Sequence, residues 1–101
     1  MLFRSYLAGS YLLPHADCRA DVGRALAYTF YLLPTGSCRG GELELFGCTL
    51  EQDEILATVS GPIIDPTANR FVLFDVGLSS LHQVREVSSG SRASLSGWFY
   101  P

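Results

Sequence analysis

Lysine is absent from this chain, and all seven basic residues are Arg. That absence excludes Schiff-base chemistry, a phosphate-cradling loop with its lysine, and a catalytic Ser/Lys pair. Histidine is nearly as scarce: only His15 and His82 are present, so any imidazole chemistry runs through one or both. The three cysteines, Cys18, Cys38 and Cys48, form no CxxC pair and are odd in number. They argue against a disulfide framework or zinc knuckle and for free thiols in a cytoplasmic protein. Positive charge is neither abundant nor clustered, and the formal net charge is −3. Direct nucleic-acid binding through phosphate contacts is therefore not expected. Long apolar runs are missing too. The start, Met1 to Leu13, is broken by Ser5, Gly9 and Ser10, too short to span a bilayer and lacking the apolar stretch of a secretory signal.

What is present is the composition of one packed domain. Of 101 residues, 48% are hydrophobic and only 17% charged, which excludes a disordered tail. A chain of this size buries roughly 65% of its unfolded surface, enough for one core. Its apolar runs are short, rich in β-branched and aromatic residues, and punctuated by Gly or Pro, the pattern of an all-β domain. Candidate strands are Phe3 to Leu7, Tyr11 to Asp17, Ala25 to Leu33, Glu42 to Phe46, Glu54 to Ser60, Arg70 to Val76, Leu81 to Val87 and Arg92 to Tyr100. Glu42 to Phe46 alternates strictly, as a strand with one buried face should, while Ala25 to Leu33 reads as covered on both faces. Turns are expected at Gly36, at Gly40 and Gly41, at Gly61 with Pro62 and Pro66, and at Ser88 to Gly90. Leu50 to Leu56 is the one stretch read as a turn of helix. Eight short strands without a long helix imply a sandwich or small barrel.

His15 and Asp17 lie two apart in a candidate strand, so their side chains leave the same face. An imidazole and a carboxylate so placed reach one ion together. His82, on a facing strand, would complete a two-His, one-carboxylate face with open coordination positions, as non-haem Fe(II) oxygenases require. The ordinary alternatives are a partly buried, hydrogen-bonded His15 and a surface His82. Arg92 follows His82 across the Ser88 to Gly90 turn, and a hairpin there would return it beside the metal strand. Pointing into a pocket, its planar fork would take a ligand's carboxylate bidentately. The alternative is a surface Arg paired with Glu86. Trp98 is expected to fill core space rather than touch substrate, and Cys18 to be a buried, inert thiol.

The stretch YLAGSYLLPHAD, Tyr6 to Asp17, resembles the Tyr-x-x-Gly-x-x-Leu-x-x-His-x-Asp signature of 2-oxoglutarate- and Fe(II)-dependent prolyl hydroxylases. FYLLP (Phe30 to Pro34), GGELELF (Gly40 to Phe46), NRFVLFDV (Asn69 to Val76), LHQVREV (Leu81 to Val87) and SRASLSGWFYP (Ser91 to Pro101) follow in that family's order. The likeness is greatest to the ribosomal prolyl 3-hydroxylase branch. It implies a double-stranded β-helix, the jelly-roll or cupin-like barrel, of about eight short antiparallel strands. Residues 1–101 would then be a minimal or truncated catalytic core. It implies that His15, Asp17 and His82 hold Fe(II) and that Arg92 takes the distal carboxylate of 2-oxoglutarate, with the hydroxyls of Tyr31 and Tyr6 beside it. Plain aromatic packing is the alternative for both tyrosines.

The implied activity is oxidative decarboxylation of 2-oxoglutarate to succinate and CO2, coupled to hydroxylation of a prolyl residue in a protein or peptide. O2 is the co-substrate and ascorbate a helper. Members of the family are usually longer, with helices packed on one sheet. A chain this short should expose an apolar sheet face, to be hidden by a second copy or another polypeptide. The competing function is a non-catalytic β-helix module or incomplete oxygenase core that binds metal or ligand without turnover. A cupin-type protein using another metal, without 2-oxoglutarate, leaves Arg92 without a role.

Overall fold

The computed structural model describes residues 2–16, 23–32 and 38–100. Ten strands follow in order: β1 (Leu2–Leu7), β2 (Leu12–His15), β3 (Leu26–Tyr31), β4 (Arg39–Gly40), β5 (Leu43–Glu51), β6 (Glu54–Ile64), β7 (Phe71–Asp75), β8 (His82–Val84), β9 (Val87–Ser89) and β10 (Ser91–Phe99). Eight of them form two four-stranded sheets, β1-β10-β3-β7 and β2-β8-β5-β6, and β4 pairs with β9 in a short ribbon. All pairings are antiparallel. Two facing sheets built by strands that alternate between them are the double-stranded β-helix. No helix among the described residues is long and apolar enough to cross a membrane.

Side-chain alternation builds the interior. Tyr6 of β1, Ala27 and Tyr31 of β3, Val72 of β7, and Arg92 and Ser94 of β10 are buried on the inner face of the first sheet. Leu43, His82 and Val84 answer from the second sheet. The core gathers Tyr6, Tyr31, Leu43, Val72, Val84 and Val87, with Leu45, Ile64 and Phe74 packed against them. The outer face of the first sheet is apolar and open, with Phe3, Leu7, Phe71, Leu73 and Phe99 all at least 50% exposed. Strand β3 is thus not covered on both faces. Tyr28 on its outer side is half-buried by in-sheet neighbours alone, with ring centroids 5.9 Å from Phe71 and 5.2 Å from Phe99.

Several local expectations are corrected. Leu50 to Leu56 is not helical: β5 continues to Glu51, and the chain reverses at Gln52 and Asp53, whose φ angles are 51° and 64°. Two successive left-handed residues make the two-residue hairpin turn that matches strand twist and forbid a helix. Gly61 and Pro62 are no turn either. They lie within β6 where its register against β5 shifts between Phe46↔Ser60 and Glu44↔Ile63, a bulge on an edge strand that tolerates proline. Glu44 is only 4% exposed, although alternation put it on the solvent side. Its carboxylate accepts hydrogen bonds from Ser60 Oγ (2.8 Å), Gln83 Nε2 (3.1 Å) and Arg85 Nε (2.8 Å), which lower its pKa from the ordinary value. Gly36 and Cys18 lie outside the described residues, as do the ends of two candidate strands, at Asp17 and Leu33.

Candidate functional site

A bulge aims the first histidine. Leu12 of β2 pairs with Val84 of β8, yet His15 pairs with His82, so β2 carries one extra residue between the two pairs. Pro14, with no N–H to give a ladder, falls in that interval. Strict alternation would send Leu12 and His15 to opposite faces; the extra residue lets both line the cavity between the sheets. The His15 and His82 rings meet there with centroids 4.3 Å apart.

Both rings are oriented in the same way. His15 Nδ1 lies 2.9 Å from the Leu13 carbonyl, and His82 Nδ1 lies 2.8 Å from the Ser80 carbonyl. A carbonyl only accepts, so each Nδ1 carries a proton, and in the neutral form of either ring the lone pair falls at Nε2. That is the tautomer a metal ligand needs. His82 is 5% exposed rather than a surface residue, with Phe74 edge-on to it at 4.9 Å. Ser80 also joins the two histidine strands, its hydroxyl lying 2.7 Å from the Ala16 carbonyl. Among the described residues no three His, Cys, Asp or Glu side chains gather as a metal site. Asp17 lies outside them.

The opposite wall is cationic. Arg92 is 4% exposed and lines the same cavity as the histidines. It does not return by a hairpin beside His82. The chain passes from β8 through β9 into the other sheet, so Arg92 faces the histidine strands across the interior. It makes no salt bridge to Glu86, which is exposed. The guanidinium carbon stands 4.2 Å from the Tyr6 ring centroid and 5.3 Å from that of Tyr31. Its hydrogen bond to Ser94 is a long one, Nη1 to Oγ at 3.4 Å. Arg92 Nε and the Tyr31 hydroxyl are both buried without any hydrogen-bond partner among the described residues.

Burial lowers the Arg92 pKa, opposed by the nearby Tyr31 and Tyr6 phenols, but a guanidinium remains charged at any physiological pH. Burial raises the Tyr31 phenol, outweighing Arg92, so it stays a protonated donor. The cavity is lined by Arg4, Arg92 and both histidines, and by no carboxylate among the described residues. A desolvated cation whose neighbouring donors are unpartnered among the described residues has the chemistry to accept an anion's oxygens.

Trp98 does not simply fill the core. It is half-buried on the cavity wall, with the Arg24 guanidinium 3.7 Å from its ring centroid. Cys38 and Cys48 are free thiols.

The chain belongs to the 2OG-Fe(II) oxygenase superfamily, whose family profile matches residues 1–100. It is similar to prolyl 3-hydroxylase sudestada1 of Drosophila melanogaster, at 36% identity over 94% of this chain and 18% of that protein. It is also similar to prolyl 3-hydroxylase OGFOD1 of Mus musculus, at 39% identity over 77% of this chain and 14% of that protein. The chain thus spans less than a fifth of the length of these curated relatives. Among solved structures, a Pseudomonas putida prolyl-4-hydroxylase superimposes with a TM-score of 0.74 at 27% identity, over 97% of this chain and 49% of that one.

Proposed function

We propose that this chain forms a β-helix module that binds metal and 2-oxoglutarate, the ligand-binding core of an oxygenase, over the whole of residues 1–101. The observation that carries the reading is the buried Arg92 guanidinium, which shares a cavity with two histidines and whose Nε, like the Tyr31 hydroxyl, has no hydrogen-bond partner among the described residues. On this reading the Arg92 fork takes the distal carboxylate of 2-oxoglutarate, the Tyr31 hydroxyl donates to it, and the Tyr6 ring supports the guanidinium from beneath. His15 and His82 hold the metal through Nε2, and Asp17 supplies the third ligand. Fe(II) bound there, with 2-oxoglutarate, O2 and ascorbate, supplies hydroxylation of a C–H bond with release of succinate and CO2. The chain's own contribution is to orient both ends of 2-oxoglutarate and to keep water from the site with aromatic walls, Tyr6, Tyr31 and Phe74.

Turnover as a prolyl hydroxylase is the second reading, favoured by the prolyl 3-hydroxylase relatives. Its substrate would be a proline-containing protein or peptide, and its free thiols suit the cytoplasm.

One pair of measurements separates the readings. Calorimetric titration of 2-oxoglutarate into the Mn(II)-loaded chain is expected to show binding that Arg92→Ala abolishes. Equal binding by the variant overturns the proposal. Succinate formation with Fe(II), ascorbate and O2, lost in His82→Ala, then establishes the oxygenase. Binding without succinate leaves the module.

A further inference from the structure

Gly41 lies between β4 and β5, buried, with φ +73°. Its amide donates to the Glu86 carbonyl at 3.2 Å, which fixes the backbone beneath the start of β10. A Cβ built on it would stand 3.1 Å from Arg92 Cδ and 3.3 Å from Arg92 Nε, with Val87 Cγ2 at 3.0 Å on the other side. The neighbouring Gly40 differs in kind, because its Cβ would run into the Glu86 backbone carbonyl. Gly40 is therefore required by the fold, whereas the space at Gly41 is occupied by side chains, chiefly that of the buried arginine. The Nε atom that this added Cβ would crowd has no hydrogen-bond partner among the described residues.

We infer that Gly41 is a positioning residue for the anion-binding guanidinium: its missing side chain leaves the groove in which the Arg92 stem lies. The inference rests on the reading that Arg92 receives a ligand carboxylate. The stem approaches over the Gly41 backbone, Tyr6 supports the face of the guanidinium, and the fork is presented to the cavity. A methyl at position 41 displaces Cδ and Nε by a few tenths of an ångström and swings the fork out of register with a planar carboxylate. Bidentate recognition is sensitive to such a shift because both hydrogen bonds must align at once. The metal-bound end of a ligand, held from the opposite sheet, is untouched.

The test compares two ligands on the Mn(II)-loaded chain by calorimetry. 2-Oxoglutarate reaches both the metal and Arg92; oxalate has the chelating head and no distal carboxylate. Gly41→Ala is expected to weaken 2-oxoglutarate by about tenfold or more while oxalate stays within about twofold. Equal weakening of both ligands, or of neither, overturns the inference. The pair Gly41→Ala/Val87→Ala gives the new methyl room on the valine side and is expected to recover most of the lost affinity. If a folded pair recovers none, the loss is backbone strain at φ +73° and the inference fails. If neither variant folds, Gly41 serves the fold rather than the guanidinium, which also overturns it. Arg92→Lys in the same titrations tests the underlying reading. Unchanged 2-oxoglutarate binding there removes that reading, whereas a loss in Arg92→Lys without one in Gly41→Ala removes only the role of Gly41.

Discussion

Tyr6 and Arg92 are direct cross-strand partners in the β1–β10 ladder, and the guanidinium lies over the phenol ring at 4.2 Å. The pair brings a permanent charge into the interior with an aromatic face where a counter-ion would be usual. Desolvated cation–π contacts are worth about 2 kcal/mol.

Tyr6→Leu is therefore expected to lower stability by about 2 kcal/mol, a fall in melting temperature of roughly 8–16 °C for a domain of this size. Tyr6→Phe keeps the ring and should melt within about 4 °C of the parent. Thermal denaturation followed by circular dichroism checks both. Equal losses in the two variants would mean that the hydroxyl, not the ring face, supports Arg92.

Ser80 ties the histidine strands together through its hydroxyl on the Ala16 carbonyl and its own carbonyl on His82 Nδ1. Ser80→Ala removes the first contact and should weaken Mn(II) binding by about tenfold, within the range usual for groups that orient metal ligands. Water-proton relaxation on titration with Mn(II) measures it. An unchanged dissociation constant would show that the bulge alone aims His15.

Glu44 is expected to contribute to the acid limb of stability. Three side-chain donors lower its folded pKa, so its contribution is fully present above the unfolded value of about 4.3 and is lost as pH falls through the lower folded value. Melting temperatures measured from pH 7 down to pH 3 should fall in the parent. Glu44→Gln should be less stable at neutral pH, and its profile should be flatter in acid. Parallel profiles would locate the acid response elsewhere.

Gly97 lies under the Tyr28 ring on the outer face of the first sheet. A Cβ there would come within 2.6 Å of the Tyr28 hydroxyl and 2.8 Å of two ring carbons. Gly97→Ala should destabilise by about 1–3 kcal/mol through overpacking. In a Tyr28→Ala background the same change should be nearly neutral, a non-additivity that urea denaturation of the four proteins resolves.

The strands were largely legible in the sequence, because period-two alternation and turn residues are local signals. Each candidate strand has an observed counterpart, and Leu81 to Val87 divides into β8 and β9 at Arg85 and Glu86. The extension of β5 past Phe46 was not legible, since Leu50 to Leu56 spaces its apolar residues as a helix does, and only the left-handed pair Gln52 and Asp53 decides otherwise. Motif order singled out His15, His82, Tyr6, Tyr31 and Arg92, which the fold brings to one cavity. Spacing did not reveal which sheet Arg92 joins, because a turn at Ser88 to Gly90 fits a hairpin and a crossover equally. Nor could it reveal the buried carboxylate of Glu44, whose partners are Ser60, Gln83 and Arg85. The contact of Arg24 with Trp98 likewise joins residues far apart in the chain.

The place of β10 in the first sheet joins the earliest described strand to the latest. The last strand of the chain inserts between β1 and β3, pairing residues 91–96 with residues 2–7. Without it, β1 and β3 would have no strand between them, and Tyr6 and Tyr31 would enclose no charge. Pairing between residues so far apart in sequence is slow to form, so refolding is expected to be slow. The strand that completes the sheet is also the one that carries Arg92. One strand thus serves both the closure of the sheet and the cationic wall of the cavity.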